Sequence, residues 1–287
     1  MNNLEKLSKI ILYDDPSTSN LKLQDIEKYL KSKLDNIEIL IRENFFDFYL
    51  NNLSLGKSKN NTADETKSKA SELSKIANGL ARTKIRDLNN PAKYLEPLQG
   101  EIAFEEKLLA EPSKSVPGIF YDGFRLHELF QEFLTEMDIN GSTCHIVFTP
   151  RLFGTFDEFD KRYHARVILC GYPSLISTIG LVEAPAKPKE YYAIKQRLLI
   201  QNITTIDSFI PDELKNRYLE YNDPRLTEVI KGYVMQVVSY HLSSSPFCDD
   251  PLCRLYNSHW QEELLRAQLS EPEFCKTHEL LFLEFNK

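Results

Sequence analysis

Ser8-Lys9-Ile10-Ile11-Leu12-Tyr13 is the stretch on which the fold turns: its apolar run reads as a short buried strand. Asp14-Asp15-Pro16-Ser17 then breaks the chain. Beyond the break, Leu21, Ile26, Tyr29, Leu30 and Leu34 recur at helical spacing, so residues 21–34 read as an amphipathic helix. Ile37 to Ile41 reads as a second strand. A strand, a helix and a strand in this order predict an α/β domain.

Working outward, residues 51–70 are rich in Asn, Lys and Ser, nearly lack apolar side chains, and read as a flexible polar loop. Residues 71–88 have a helical stripe of Leu73, Ile76, Ala77, Leu80 and Ile85. Four prolines, Pro91, Pro97, Pro112 and Pro117, punctuate the surface-wrapping segment that follows. Residues 122–137 read as another amphipathic helix, and Cys144–Phe148 and Ala165–Cys170 as core strands. Residues 182–192 hold too many prolines for a central strand. A long helix is expected over 224–242, closed by Ser243-Ser244-Ser245-Pro246. Three segments are expected: 1–120, an α/β segment; 121–242, a core carrying the long helix; and 243–287, a C-terminal element.

The chain has 287 residues, 42% of them hydrophobic, enough for a substantial core. Its net charge of −7 argues against nucleic acid as the main partner, because polyanions attract basic surfaces. No apolar run approaches the roughly 20 residues of a membrane span. No cleavable leader is evident near the start, so the cytoplasm is the expected compartment. No glycine-rich phosphate loop and no G-x-S-x-G elbow is present.

Five cysteines in such a compartment point away from a disulfide framework. Three of them cluster with a histidine: Phe247-Cys248-Asp249-Asp250-Pro251-Leu252-Cys253, then Phe274-Cys275-Lys276-Thr277-His278. The spacing is C-x4-C, a 21-residue gap and C-x2-H. Thiolate sulfur and imidazole nitrogen are the usual ligands of closed zinc sites, and two short pairs can each wrap half of the ion. Cys248, Cys253, Cys275 and His278 are therefore expected to bind one structural Zn²⁺. With four protein ligands no coordination position stays open, so this ion would hold structure rather than catalyse.

This segment resembles the archaemetzincins, a family of metzincin-type zinc metallopeptidases. Their signature HExxHxxGxxH runs directly into C-x4-C, with a later C-x2-C completing a second zinc site. Here His278 stands where the last cysteine would be. The resemblance is most specific over residues 224–287. It implies a metzincin-like mixed sheet with packed helices and a C-terminal zinc-bound subdomain. Counted back from Cys248, the signature's third histidine falls on Phe247, its glycine on Ser244 and its second histidine on His241. The catalytic glutamate falls on Val238 and the first histidine on Val237. Valine supplies neither a ligand nor a base for the bound water, so the catalytic motif is degenerate. The chain also looks like an archaeal group of metallopeptidase-like proteins with no established activity. Arg162-Tyr163-His164-Ala165-Arg166, Lys231-Gly232-Tyr233 and Asn257-Ser258-His259-Trp260 are among the carriers.

Three functional readings follow. The first is a non-catalytic homologue that binds a peptide or protein segment in the old substrate groove. The second is a working hydrolase with a metal site rebuilt around His241 from His164, His259 or Glu183. The third is a complex-forming module. Arg162, His164 and Arg166 alternate along an expected strand and so share one face, as a pocket wall would require. Glu183 sits in an expected extended, proline-flanked stretch that could line a groove. His259 is either a further ligand or a helix-start histidine beside Trp260. His127-Glu128-Leu129-Phe130-Gln131 falls one residue short of HExxH and reads as the polar face of a helix.

Overall fold

The computed structural model describes residues 7–52, 62–90, 96–134 and 140–287. The strands are β1 (Lys9–Tyr13), β2 (Glu38–Arg42), β3 (Phe120–Asp122), β4 (Thr143–Thr149), β5 (Leu152–Asp157), β6 (Arg162–Arg166), β7 (Ile168–Leu169) and β8 (Ser174–Ser177). Helices α1 (Leu23–Lys33), α2 (Phe45–Asn52), α3 (Thr62–Arg82), α4 (Gln99–Ala110) and α5 (Gly123–Glu132) lie in the first half. They are followed by α6 (Gly180–Glu183), α7 (Lys189–Ile200), α8 (Asp212–Lys215), α9 (Leu226–Ser243), α10 (Gln261–Leu269) and α11 (Lys276–Phe285). Among the described residues, no helix is long and apolar enough to cross a membrane.

The fold is mixed α/β with two mixed sheets. The larger has the order β2-β1-β4-β8-β7, parallel except for the β7–β8 pair. The smaller has the order β3-β5-β6, with β6 antiparallel to β5 at the edge. Side chains alternate across the larger sheet with the period of two that a strand imposes. Ile10, Leu12, Ile146 and Phe148 face a core shared with α1, α9, α10 and α11. Ile11, Tyr13, Val147 and Leu175 face a second core shared with α2, α3 and α5. Helices on both faces explain why β1 reads as a continuous apolar run instead of an alternating one.

Three local expectations are corrected. The polar segment 51–70 is not a loop throughout. Asn51 and Asn52 end α2, residues 62–70 form the first half of α3, and 53–61 lie outside the described residues. Ala63, Glu65, Lys67 and Ala70 are strong helix formers, and propensity carries the helix through a stretch without an apolar stripe. Ala165–Cys170 is not one strand. The chain leaves the smaller sheet after Arg166 and enters the larger at Ile168, with the Val167 carbonyl accepting from the Ser177 N–H at 2.7 Å. Glu183 is not in an extended stretch but is the last residue of α6. Pro188 then caps α7, a position that lacks a helical N–H partner anyway.

Candidate metal centre and cleft

Two short turns and one helix start build the cysteine cluster. Cys248 and Cys253 close a loop in which the Asp250 carbonyl accepts from the Cys253 N–H at 3.0 Å. The Asp250 N–H in turn donates to the Cys248 sulfur at 3.4 Å. Cys275 is the N-cap of α11, so C-x2-H places His278 in that helix's first turn.

The three sulfurs and His278 Nδ1 lie within 4.8 Å of one another. Cys248 Sγ is 3.8 Å from Cys275 Sγ, and His278 Nδ1 is 3.7 Å from Cys253 Sγ and 3.2 Å from Cys275 Sγ. A zinc tetrahedron with Zn–S bonds of about 2.3 Å has sulfur–sulfur edges of about 3.8 Å. The cluster could hold a metal ion such as zinc, and its soft donors suit zinc better than calcium or magnesium. Burial, then the nearness of Cys248 and Cys275, pushes the Cys253 thiol up to about 12. Burial also lowers the pKa of His278, which favours the neutral imidazole a metal needs.

His241 lies on the last turn of α9, largely buried between the rings of Tyr172 at 5.1 Å and Tyr240 at 5.8 Å. Its Nε2 is buried and has no hydrogen-bond partner among the described residues. Burial, reinforced by His145, lowers its pKa to about 4. Val237 and Val238, one turn earlier, are both 0% exposed in the core. Among the described residues, His241 joins no group of three or more metal-donor side chains.

The other candidates separate. His164 and His259 line one cleft of about 770 Å³, a ligand-sized volume, together with Arg162 and Arg166. Glu183 lies outside that cleft lining, exposed, where its carboxylate accepts from Tyr221 at 2.7 Å. His241 also lies outside it. His259 holds the helix start: its carbonyl accepts from the Ala186 N–H at 2.8 Å, and its own N–H donates to Glu263 at 3.1 Å. His127 Nε2 donates to the Pro173 carbonyl at 2.8 Å, which ties α5 to that turn.

A comparison with protein families matches residues 6–285 to one described as a probable metallopeptidase family, DUF6775. The chain belongs to that family. No curated protein and no solved structure matches it. In this DUF6775 member, two groupings escaped the sequence reading. Asp157, Asp160 and His164 meet at the β5–β6 turn, where Asp160 Oδ2 is shared between Arg162 Nε and His164 Nε2, each at 2.7 Å. The D-x-x-x-H spacing of Asp160 and His164 across a hairpin was the available signal. Phe124, Phe247 and Trp260 line the cleft from three distant segments, and no local pattern connects them.

Proposed function

We propose that the protein is a zinc-stabilised, peptide-binding relative of the metzincin-type metallopeptidases whose own hydrolytic centre has been lost. One Zn²⁺ held by Cys248, Cys253, Cys275 and His278 fixes the C-terminal element, and the cleft beside β6 takes an extended peptide or protein segment. The observation that carries the loss of catalysis is the burial of Val237 and Val238, 0% exposed, where the archaemetzincin signature has its first histidine and general base. A water-activating zinc needs several ligands and a nearby base, and these side chains offer neither. The conformation of Ser244 supports the alignment itself. It follows α9 at φ 58, a left-handed turn of the kind glycine favours at helix ends, and it stands at the signature's glycine. For the peptide, β6 is an edge strand able to pair with an added one.

Metal analysis of protein purified without chelators, run beside a fluorogenic peptide panel, tests this. One zinc per chain, lost on Cys253→Ser and retained on His241→Ala, together with no hydrolysis, is the expected result. The partnerless Nε2 of His241 favours a second reading, a rebuilt metal site at that residue. Two zincs per chain, with His241→Ala removing one, would replace the first reading with the second.

A further inference from the structure

We infer that the cleft beside β6 selects acidic peptide segments, with Arg166 as the anchor for a carboxylate side chain. This rests on the peptide-binding reading and specifies its ligand. The body of the protein is acidic, with 42 Asp and Glu against 35 Lys and Arg. The cleft inverts that balance. Its basic side chains are Arg162, His164, Arg166 and His259, and among the described residues no Asp or Glu lines it. Low-dielectric walls of one sign focus the field on an opposite charge.

These basic side chains are not equivalent. Arg162 and His164 already share the carboxylate of Asp160. Arg166 donates Nε to Thr155 Oγ1 at 3.0 Å and forms no ion pair among the described residues. It is half-buried, so its unspent guanidinium donors sit where a carboxylate would gain more than at an open surface. Arg162, His164 and Arg166 share one face of β6, and Thr155, paired opposite His164, lines the same cleft. A strand added to the free edge of β6 would place every second side chain along that face. The expected ligand therefore has acidic residues at alternating positions. The exposed rings of Phe124 and Phe247, 60% and 38% exposed, offer contacts to apolar neighbours. A peptide fits better than a nucleic acid. The edge strand supplies backbone partners that only another polypeptide can use, and the net charge of −7 repels a long polyanion.

Fluorescence anisotropy on the full-length, zinc-loaded chain tests this with three labelled decapeptides, all C-terminally amidated and equal in apolar content. Their alternating positions carry Glu, Gln or Lys, and a labelled oligo-dT of similar length is the fourth probe. The Glu peptide should bind about tenfold or more tighter than the Gln peptide, with the advantage shrinking as salt rises. Arg166→Gln should bring the Glu peptide down to the Gln peptide's affinity, while Arg166→Lys keeps part of the difference. Zinc content and far-ultraviolet spectra of both variants establish that they fold. Equal binding of Glu and Gln peptides overturns the acidic selectivity and leaves the peptide-binding reading standing. Failure of all three peptides overturns that reading and this one with it. Tighter binding of oligo-dT than of the Glu peptide assigns the cleft to single-stranded nucleic acid and overturns both.

Discussion

His241 is buried neutral, its pKa lowered to about 4 by desolvation, whereas in the unfolded chain it titrates near 6.5. Between those values the unfolded state binds a proton that the folded state refuses. Stability is therefore lost as pH falls from about 6.5 toward 4 and is restored above that window. The loss amounts to at most about 3 kcal/mol. Thermal unfolding against pH should show it, and His241→Gln should flatten the profile in that window. Acid also strips thiolate ligands, so the difference between the two proteins is the informative quantity. At Ser244, φ 58 costs a side-chain-bearing residue about 1 kcal/mol, and the side chain is exposed. Ser244→Gly should raise Tm by about 2–3 °C in calorimetry.

The long helix α9 carries the interior Gly232 because α10 comes too close for anything larger. A Cβ there would stand 1.6 Å from Gln268 Oε1 and 2.7 Å from Arg254 Cγ. Gln268 cannot swing aside freely, since it is 0% exposed and its Nε2 donates to the Arg254 carbonyl at 2.8 Å. Gly232→Ala should cost roughly 1–3 kcal/mol, read from denaturant midpoints, despite alanine's better helix propensity. A second anchored contact joins α4 to the smaller sheet. Glu105, 0% exposed, accepts from Tyr121 at 2.8 Å and pairs with Lys84 at 2.8 Å and Arg151 at 3.2 Å. Burial pushes its carboxyl up, but Arg151 and Lys84 hold it below the usual range. Glu105→Gln leaves two nearly buried cations without their counter-charge and should destabilise by about 3–5 kcal/mol in the same measurement. Elements with a strong local signature were legible in the sequence: β1 from its apolar run, α1 and α9 from their periodicity. The start of α3 was not, because propensity without a stripe resembles a solvated loop. The switch of sheets at Val167 was not, because strand partners set it rather than local pattern.

For the whole molecule, the legible part of the candidate site was the part whose donors come in short pairs. Cys248 with Cys253, and Cys275 with His278, announce themselves by spacing, and the fold brings all four donor atoms within 4.8 Å of one another. The cleft was half legible. Arg162, His164 and Arg166 alternate on one strand, but Phe124, Phe247 and Trp260 converge only in three dimensions. The cluster is also fastened to the body of the protein. Arg254, next to Cys253 and 3% exposed, reaches Glu228 of α9 at 2.6 Å and Glu273 at 3.3 Å. Tyr29 of α1 donates to the same Glu273 carboxylate at 2.6 Å. On the proposed zinc site, chelation should therefore lower Tm for the whole chain in one cooperative transition rather than release a separate tail, as differential scanning calorimetry with and without chelator would record.

The covering of β1 by α9, α10 and α11 has a consequence for synthesis. Ile10 and Leu12 are translated more than 200 residues ahead of α9, α10 and α11, which help to shield them. A nascent chain halted before residue 226 would cover that sheet face with α1 but lack the cover of α9, α10 and α11, leaving apolar surface open to its neighbours. That face of the sheet is complete only once residues more than 200 positions apart in the chain have met.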